Sequence, residues 1–141
     1  MRVVLDTGIL IAALITSGTP PDDIYRAWRK KRFQLITFEW QLEEFRRVSR
    51  YPKLRTYLKS ADAGNLVNGL RREATVLAQL PPVDLSPDPN DNPVLAMALA
   101  ARADILVTGD RRDLLALGTI GSTRILSARQ FVDELKISAD G

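Results

Sequence analysis

The sequence predicts a three-layer α/β domain in which a central parallel sheet is covered by helices on both faces. Three observations carry that reading. The short apolar runs "RVVLDT", "FQLIT", "DILVTGD" and "TRILS" have the length and branched-residue content of strands. Stretches of helical periodicity lie between them, and strands alternating with helices pack as a parallel sheet with helices on each side. The 141 residues, 45% hydrophobic and 26% charged, suit one globular domain spanning residues 1–141, with no internal repeats, linkers or low-complexity tracts.

The elements follow in chain order. "RVVLDT" is a strand ending at Asp6, and "GILIAALIT" continues as a buried helix after a turn at Gly8. Thr19, with Pro20 at the first helical position, opens a helix carrying Ile24, Ala27 and Trp28 on one face. "FQLIT" (33–37) is the second strand and "EWQLEEFRRVSR" (39–50) the helix after it. From Ser60 to Leu80, the residues Leu66, Leu70, Ala74 and Leu77 recur at helical spacing. A proline-rich loop, 81–89, leads into a helix from Pro93 to Arg102. "DILVTGD" is the third strand, running to Asp110; "DRRDLLAL" opens a short helix; "TRILS" is the fourth strand. Ser127 and Gln130, three residues apart in "SARQ", form a capping box that starts the last helix.

Composition limits the chemistry. The chain has no cysteine and no histidine, which excludes disulfides, thiolate zinc sites, an imidazole base and any Ser-His-Asp or Cys-His nucleophile. Catalysis, if present, uses carboxylates, hydroxyls, lysine, arginine or an added metal. "ILIAALI" (9–15) is too short to span a bilayer and is preceded by Asp6 and a single basic residue, Arg2, so a soluble cytoplasmic protein is expected. The net charge is +3, with basic residues clustered in "RAWRKKRF", "RRVSRYPKLR" and Arg71–Arg72. Such clusters suit a polyanion such as RNA or DNA, and equally suit solvated helix faces.

The predicted layout of strands and helices bears on the acids. Asp6 and Asp110 each fall just past the carboxyl end of an apolar strand, where open parallel sheets build ligand sites. Asp91, before Asn92 and Pro93, falls at the amino end of a helix, whose dipole favours negative charge. In the helix 39–50, Leu42, Phe45 and Val48 mark the inward face; Glu44 lies roughly 100° from its centre and Glu43 roughly 160°. Glu44 is therefore the glutamate able to reach a crevice, and Glu43 the one free to pair with Arg47 on the surface. Each acid also has a plain structural reading: Asp6 as a helix cap, Asp88 and Asp91 as turn residues, Glu44 as a helix-edge residue, and Asp110 with Asp113 as a cap of the short helix. Together they point elsewhere. Carboxylates gathered in one crevice repel one another unless a cation neutralises them, and with no imidazole or thiolate available that cation is a hard one, Mg²⁺ or Mn²⁺.

"VVLDTGIL", "QLEEFRRVSRYPK", "DPNDNPVLAMALAARADILVTGD" and "RRDLLAL", in this order along almost the whole chain, resemble the PIN-domain proteins, in particular the short bacterial branch of toxin components, the VapC-like ribonucleases. The resemblance implies a PIN-like three-layer fold and Mg²⁺- or Mn²⁺-dependent cleavage of RNA. It implies that Asp6, Glu44, Asp91 and Asp110 are the catalytic, metal-holding acids and that Asp113 is an accessory metal-binding acid, with Asp88 in the same loop. It also implies an antitoxin protein as partner and a homodimer.

Two positions depart from the family pattern. Gly8 stands where an asparagine two residues after the first aspartate usually orders the acidic site, and Phe38 stands where a small hydroxyl residue usually begins the glutamate helix, with Thr37 adjacent. Losing the asparagine removes a side-chain hydrogen bond of about 0.5–1.5 kcal/mol, which loosens ligand geometry without removing a ligand. A second reading therefore stands beside the nuclease: a PIN-like fold that binds RNA or a protein without cutting. A phosphoryl-transfer domain fits less well, because a phosphatase of that kind needs a second aspartate at position 8 and a receiver needs a lysine in the loop after its last parallel strand, whereas Lys136 falls inside the final helix.

Overall fold

The computed structural model describes residues 1–84, 88–109 and 112–140, with side chains as far as Lys136. In chain order the elements are β1 (Arg2–Leu5), α1 (Thr7–Ile15), α2 (Pro20–Arg29), β2 (Gln34–Phe38), α3 (Glu39–Ser49), α4 (Pro52–Arg55) and α5 (Ser60–Glu73). They continue with β3 (Thr75–Leu77), a 3₁₀ turn (Pro89–Asp91), α6 (Asn92–Ala101), β4 (Ile105–Thr108), α7 (Arg112–Leu117), β5 (Thr119–Ile120), β6 (Thr123–Ser127) and α8 (Ala128–Asp140). The sheet has six strands in the order β3-β2-β1-β4-β6-β5. All neighbours are parallel except β5 and β6.

The strands alternate between two cores, as a period of two requires. Val3, Leu5, Leu35, Ile105, Val107 and Leu126 face a core shared with α1, α2, α3, α5 and α8. Val4, Ile36, Phe38, Leu106 and Ile125 face the other, filled by α6 and by Leu114 of α7. Both faces of the sheet are thus buried, which is why its central strands are apolar throughout. Each fully buried large side chain, such as Phe38, Phe45, Leu95 or Phe131, contributes about 1.5–3 kcal/mol by leaving water.

The expected three-layer arrangement is present, with three corrections. The stretch 60–80 is not helical throughout: α5 ends at Glu73, and Thr75–Leu77 form β3, paired with Ile36–Phe38 of β2. The sheet also carries β5, a two-residue antiparallel edge strand, so four expected strands become six and the sheet is mixed. Gly8 does not form a turn before a helix; α1 starts at Thr7, with Gly8 in its first turn. The capping box at the start of α8 forms as expected, Ser127 N–H donating to Gln130 Oε1 at 2.8 Å and Gln130 N–H donating to Ser127 Oγ at 3.1 Å. No helix among the described residues is long and apolar enough to cross a membrane.

This topology creates one switch point. From β1 the chain builds outward through β2 to β3, then returns to the other side of β1 to add β4 and β6. The elements that follow β1 and β4 therefore lie on opposite faces, α1 over one core and α7, through Leu114, over the other. Open α/β sheets bind ligands in the crevice at such a point.

Candidate functional site

Asp6 stands at this point because β1 ends at Leu5 and α1 begins at Thr7. Its N–H donates to Val107 O at 2.9 Å, continuing the sheet ladder by one bond, and its carbonyl accepts the first bonds of α1 from Ile9 and Leu10. The capping reading holds, weakly: Gly8 N–H reaches Asp6 Oδ1 at 3.5 Å, a long bond. The stronger tie comes from β4. Leu5 pairs with Val107, so the next residues, Asp6 and Thr108, lie side by side, and the Thr108 hydroxyl donates to Asp6 Oδ2 at 3.0 Å. Thr108 is wholly buried and Asp6 is 9% exposed, and Asp6, with one carboxylate oxygen clamped by Thr108, lines a pocket.

Glu44 reaches the same pocket from α3. The helix buries Leu42 and Phe45, leaves Glu43 exposed and holds Glu44 at the edge, as its angular position requires. One expectation is reversed: Arg47 sits 4.0 Å from Glu44, not from Glu43, at the three-residue spacing that also brings side chains together on a helix. Gln41, one turn earlier, is buried and fixes α3 against β1. Its Nε2 donates to Leu5 O at 2.6 Å and lies 3.4 Å from Thr7 Oγ1, while its Oε1 accepts from Thr37 at 2.6 Å. Phe38 occupies the cap position of α3 without a side-chain bond, and the neighbouring Thr37 spends its hydroxyl on Gln41.

The two aspartates of the proline-rich loop separate in role. Asp88 caps the 3₁₀ turn, accepting from Asn90 N–H at 3.0 Å, which is its turn reading, yet it also lines the pocket. Asp91 is 1% exposed and makes no side-chain cap bond to α6, although it occupies the cap position. The pocket of about 640 Å³ is lined by Asp6, Glu44 and Asp88 among the acids, with Arg47, Trp40 and Tyr51 around them. Asp113 is exposed at the start of α7 and is not among the pocket's described lining residues. Asp110 lies outside the described residues.

The donor chemistry fits a hard divalent cation: the pocket offers carboxylate oxygens, and the chain has neither histidine nor cysteine. Among the described residues no three acids are close enough to hold a metal by themselves. Asp6, Glu44 and Asp88 share one pocket; Asp91 is buried and is not among its lining residues, although its neighbour Asn90 is. Thr108 and Gln41 were not singled out from sequence. Thr108 stands two residues before Asp110 in "VTGD", and Gln41 three before Glu44, spacings that a search for supporting hydrogen bonds around the acids would have tested.

Residues 2–112 match the family model of the PIN domain, most of the chain and all of the elements that build the pocket. No match is found among curated proteins.

Proposed function

The chain belongs to the PIN-domain family, whose members are in general nucleases that use divalent metals, and from that premise we propose that it is a Mg²⁺- or Mn²⁺-dependent ribonuclease, the toxin of a toxin–antitoxin pair. The observation that carries the reading is the clamped carboxylate of Asp6 at the switch point of the sheet, with Glu44 facing the same pocket. Asp6, Glu44, Asp91 and Asp110 would hold the cation, which when bound supplies an acidified water and charge neutralisation at a phosphodiester. Thr108 fixes the orientation of Asp6, and Gln41 fixes α3, and with it Glu44, at its distance from β1. Arg47 beside Glu44 is placed to meet a phosphate at the pocket mouth.

Cleavage of RNA by the purified chain, measured with EDTA, Mg²⁺ and Mn²⁺ and with Asp6→Asn as the blank, tests this reading. Metal-dependent cutting above the blank supports it; equal product from both proteins contradicts it. A second reading, RNA or protein binding without cleavage, is favoured by Gly8, which offers Asp6 a single long backbone bond and no side chain. Binding without product in any metal would select it. The antitoxin partner and the homodimer rest on the family resemblance and are tested by co-purification with the product of an adjacent gene and by sedimentation.

A further inference from the structure

A second pocket of about 310 Å³ lies between the carboxyl end of α3, α4 and the amino end of α5, lined by Arg46, Ser49, Arg50, Arg55, Ser60, Ala63 and Gly64. Three features separate it from an ordinary basic surface. No acid lines it, and among the described residues no carboxylate lies within ion-pair distance of Arg46, Arg50 or Arg55. Arg26, Arg29, Arg47, Arg71 and Arg124 have carboxylate partners, whereas these three arginines line one concave space without an ion pair, Glu39 meeting the charge of Arg46 only at longer range. The Ser60 hydroxyl and the amino end of the fourteen-residue α5 join them, and the Lys59 cap adds no side-chain bond there, while the Ser49 hydroxyl donates to Arg46 O at 2.8 Å. Guanidinium forks, hydroxyl donors and a helix amino end are the groups that bind phosphate.

The arginine and acidic pockets share no lining residue and take different sides of α3, Arg46 and Ser49 on one and Trp40, Glu44 and Val48 on the other, and their linings come together at its carboxyl end. Arg50 lines the arginine pocket and the next residue, Tyr51, 45% exposed, lines the acidic pocket. Along α3, Glu44 and Arg50 are six residues apart, about 9 Å of helix axis. An exposed tyrosine in the acidic pocket, next in sequence to an arginine of the other, has the composition of a single-strand path around the end of α3, with base stacking first and a phosphate beyond.

We propose that the Arg46–Arg50–Arg55 pocket is a phosphate subsite that takes a backbone phosphodiester of a single-stranded RNA whose neighbouring segment occupies the acidic pocket, with Tyr51 stacking on a base between them. This rests on the nuclease reading and adds to it the residues that hold the strand away from the cut. Arg50→Gln, Arg55→Gln and Gly64→Glu test the pocket, and Tyr51→Ala tests the stacking. Gly64 is exposed, and a Cβ there meets nothing within 4 Å, so Gly64→Glu fits and brings a carboxylate to the arginines. Arg129→Gln, exposed on the first turn of α8 and outside both pockets, is the control.

The experiment is the anisotropy of a labelled oligoribonucleotide of about 12 nucleotides, titrated in EDTA so that no cutting occurs, across a salt series, with inorganic phosphate as a competing probe and circular dichroism as the check on folding. The parent and the control bind alike. Each arginine replacement weakens binding and lowers the slope of log affinity against log salt by roughly 0.7, the single-strand value for one phosphate. Gly64→Glu weakens binding, and Tyr51→Ala weakens it about tenfold with little change of slope. If the parent binds RNA but the three pocket variants match it in affinity and slope, the subsite is refuted and the nuclease reading survives. Variants that lose only competition by inorganic phosphate mark a free-anion site, which also refutes the strand path. A parent that neither binds nor cuts RNA overturns both.

Discussion

Thr108→Val removes one hydroxyl and keeps the shape of the side chain. The wild-type hydroxyl donates to Asp6 Oδ2 at 3.0 Å, with Thr108 fully buried and Asp6 9% exposed, so no bulk water replaces the lost donor. A hydrogen bond to a charged group contributes about 1.5–3 kcal/mol, and here a buried carboxylate oxygen is left short of a partner. For a domain of this length that loss lowers the unfolding midpoint by roughly 3–12 °C. The same bond orients Asp6, and supporting bonds around metal ligands commonly change affinity by about 10–100-fold. The assay is urea unfolding with and without Mn²⁺: wild type gains stability from the metal, and Thr108→Val starts lower and gains less at the same Mn²⁺ concentration. A variant equal to wild type in both conditions would refute the claim that Thr108 clamps a working ligand.

Glu44→Gln abolishes or strongly reduces metal-dependent cleavage while Glu43→Gln, exposed and outside the pocket, leaves it near wild type; the reverse pattern in rate assays would reassign the α3 acid. Gly8→Asn raises the cleavage rate or Mn²⁺ affinity about 10–100-fold, because Gly8 is helical, a Cβ there meets open space, and the amide can supply the missing support to Asp6; unchanged kinetics would show that the glycine is no impairment. The Arg71 hydrogen bond holds the Glu39 carboxyl below its ordinary range. Its contribution is thus present above the unfolded carboxylate range and lost as pH falls through the folded value, so Arg71→Gln is less stable than wild type near neutrality and equal to it in acid. A stability gap that persists in acid would assign Arg71 another role.

The strands that bear the site were legible because buried parallel strands are apolar throughout and end abruptly in an acid, as "RVVLD" does. β3 was not, because Ala74 and Leu77 continue the spacing of Leu66 and Leu70. Only pairing with Ile36–Phe38 of β2 makes those residues a strand, a tertiary effect that local periodicity cannot carry. Glu44 was separable from Glu43 because a helix converts spacing into direction, while the partner of Arg47 was misassigned because both glutamates lie within its reach. Thr108 and Gln41 were invisible for another reason. Their roles depend on the register that sets Leu5 beside Val107 and on the approach of α3 to β1, and an uncharged hydroxyl or amide leaves no mark in a charge pattern.

In the proposed function Asp6, Glu44, Asp91 and Asp110 act together on one divalent cation. The measurement that meets it most directly is a Mn²⁺ titration followed by electron paramagnetic resonance, on wild type and on Asp6→Asn, Glu44→Gln, Asp91→Asn and Asp110→Asn, with folding checked by circular dichroism. Wild type is expected to bind Mn²⁺, and each replacement to weaken the same site while the circular dichroism stays that of the folded protein. Folded variants that bind Mn²⁺ as tightly as wild type, Asp6→Asn above all, would contradict it.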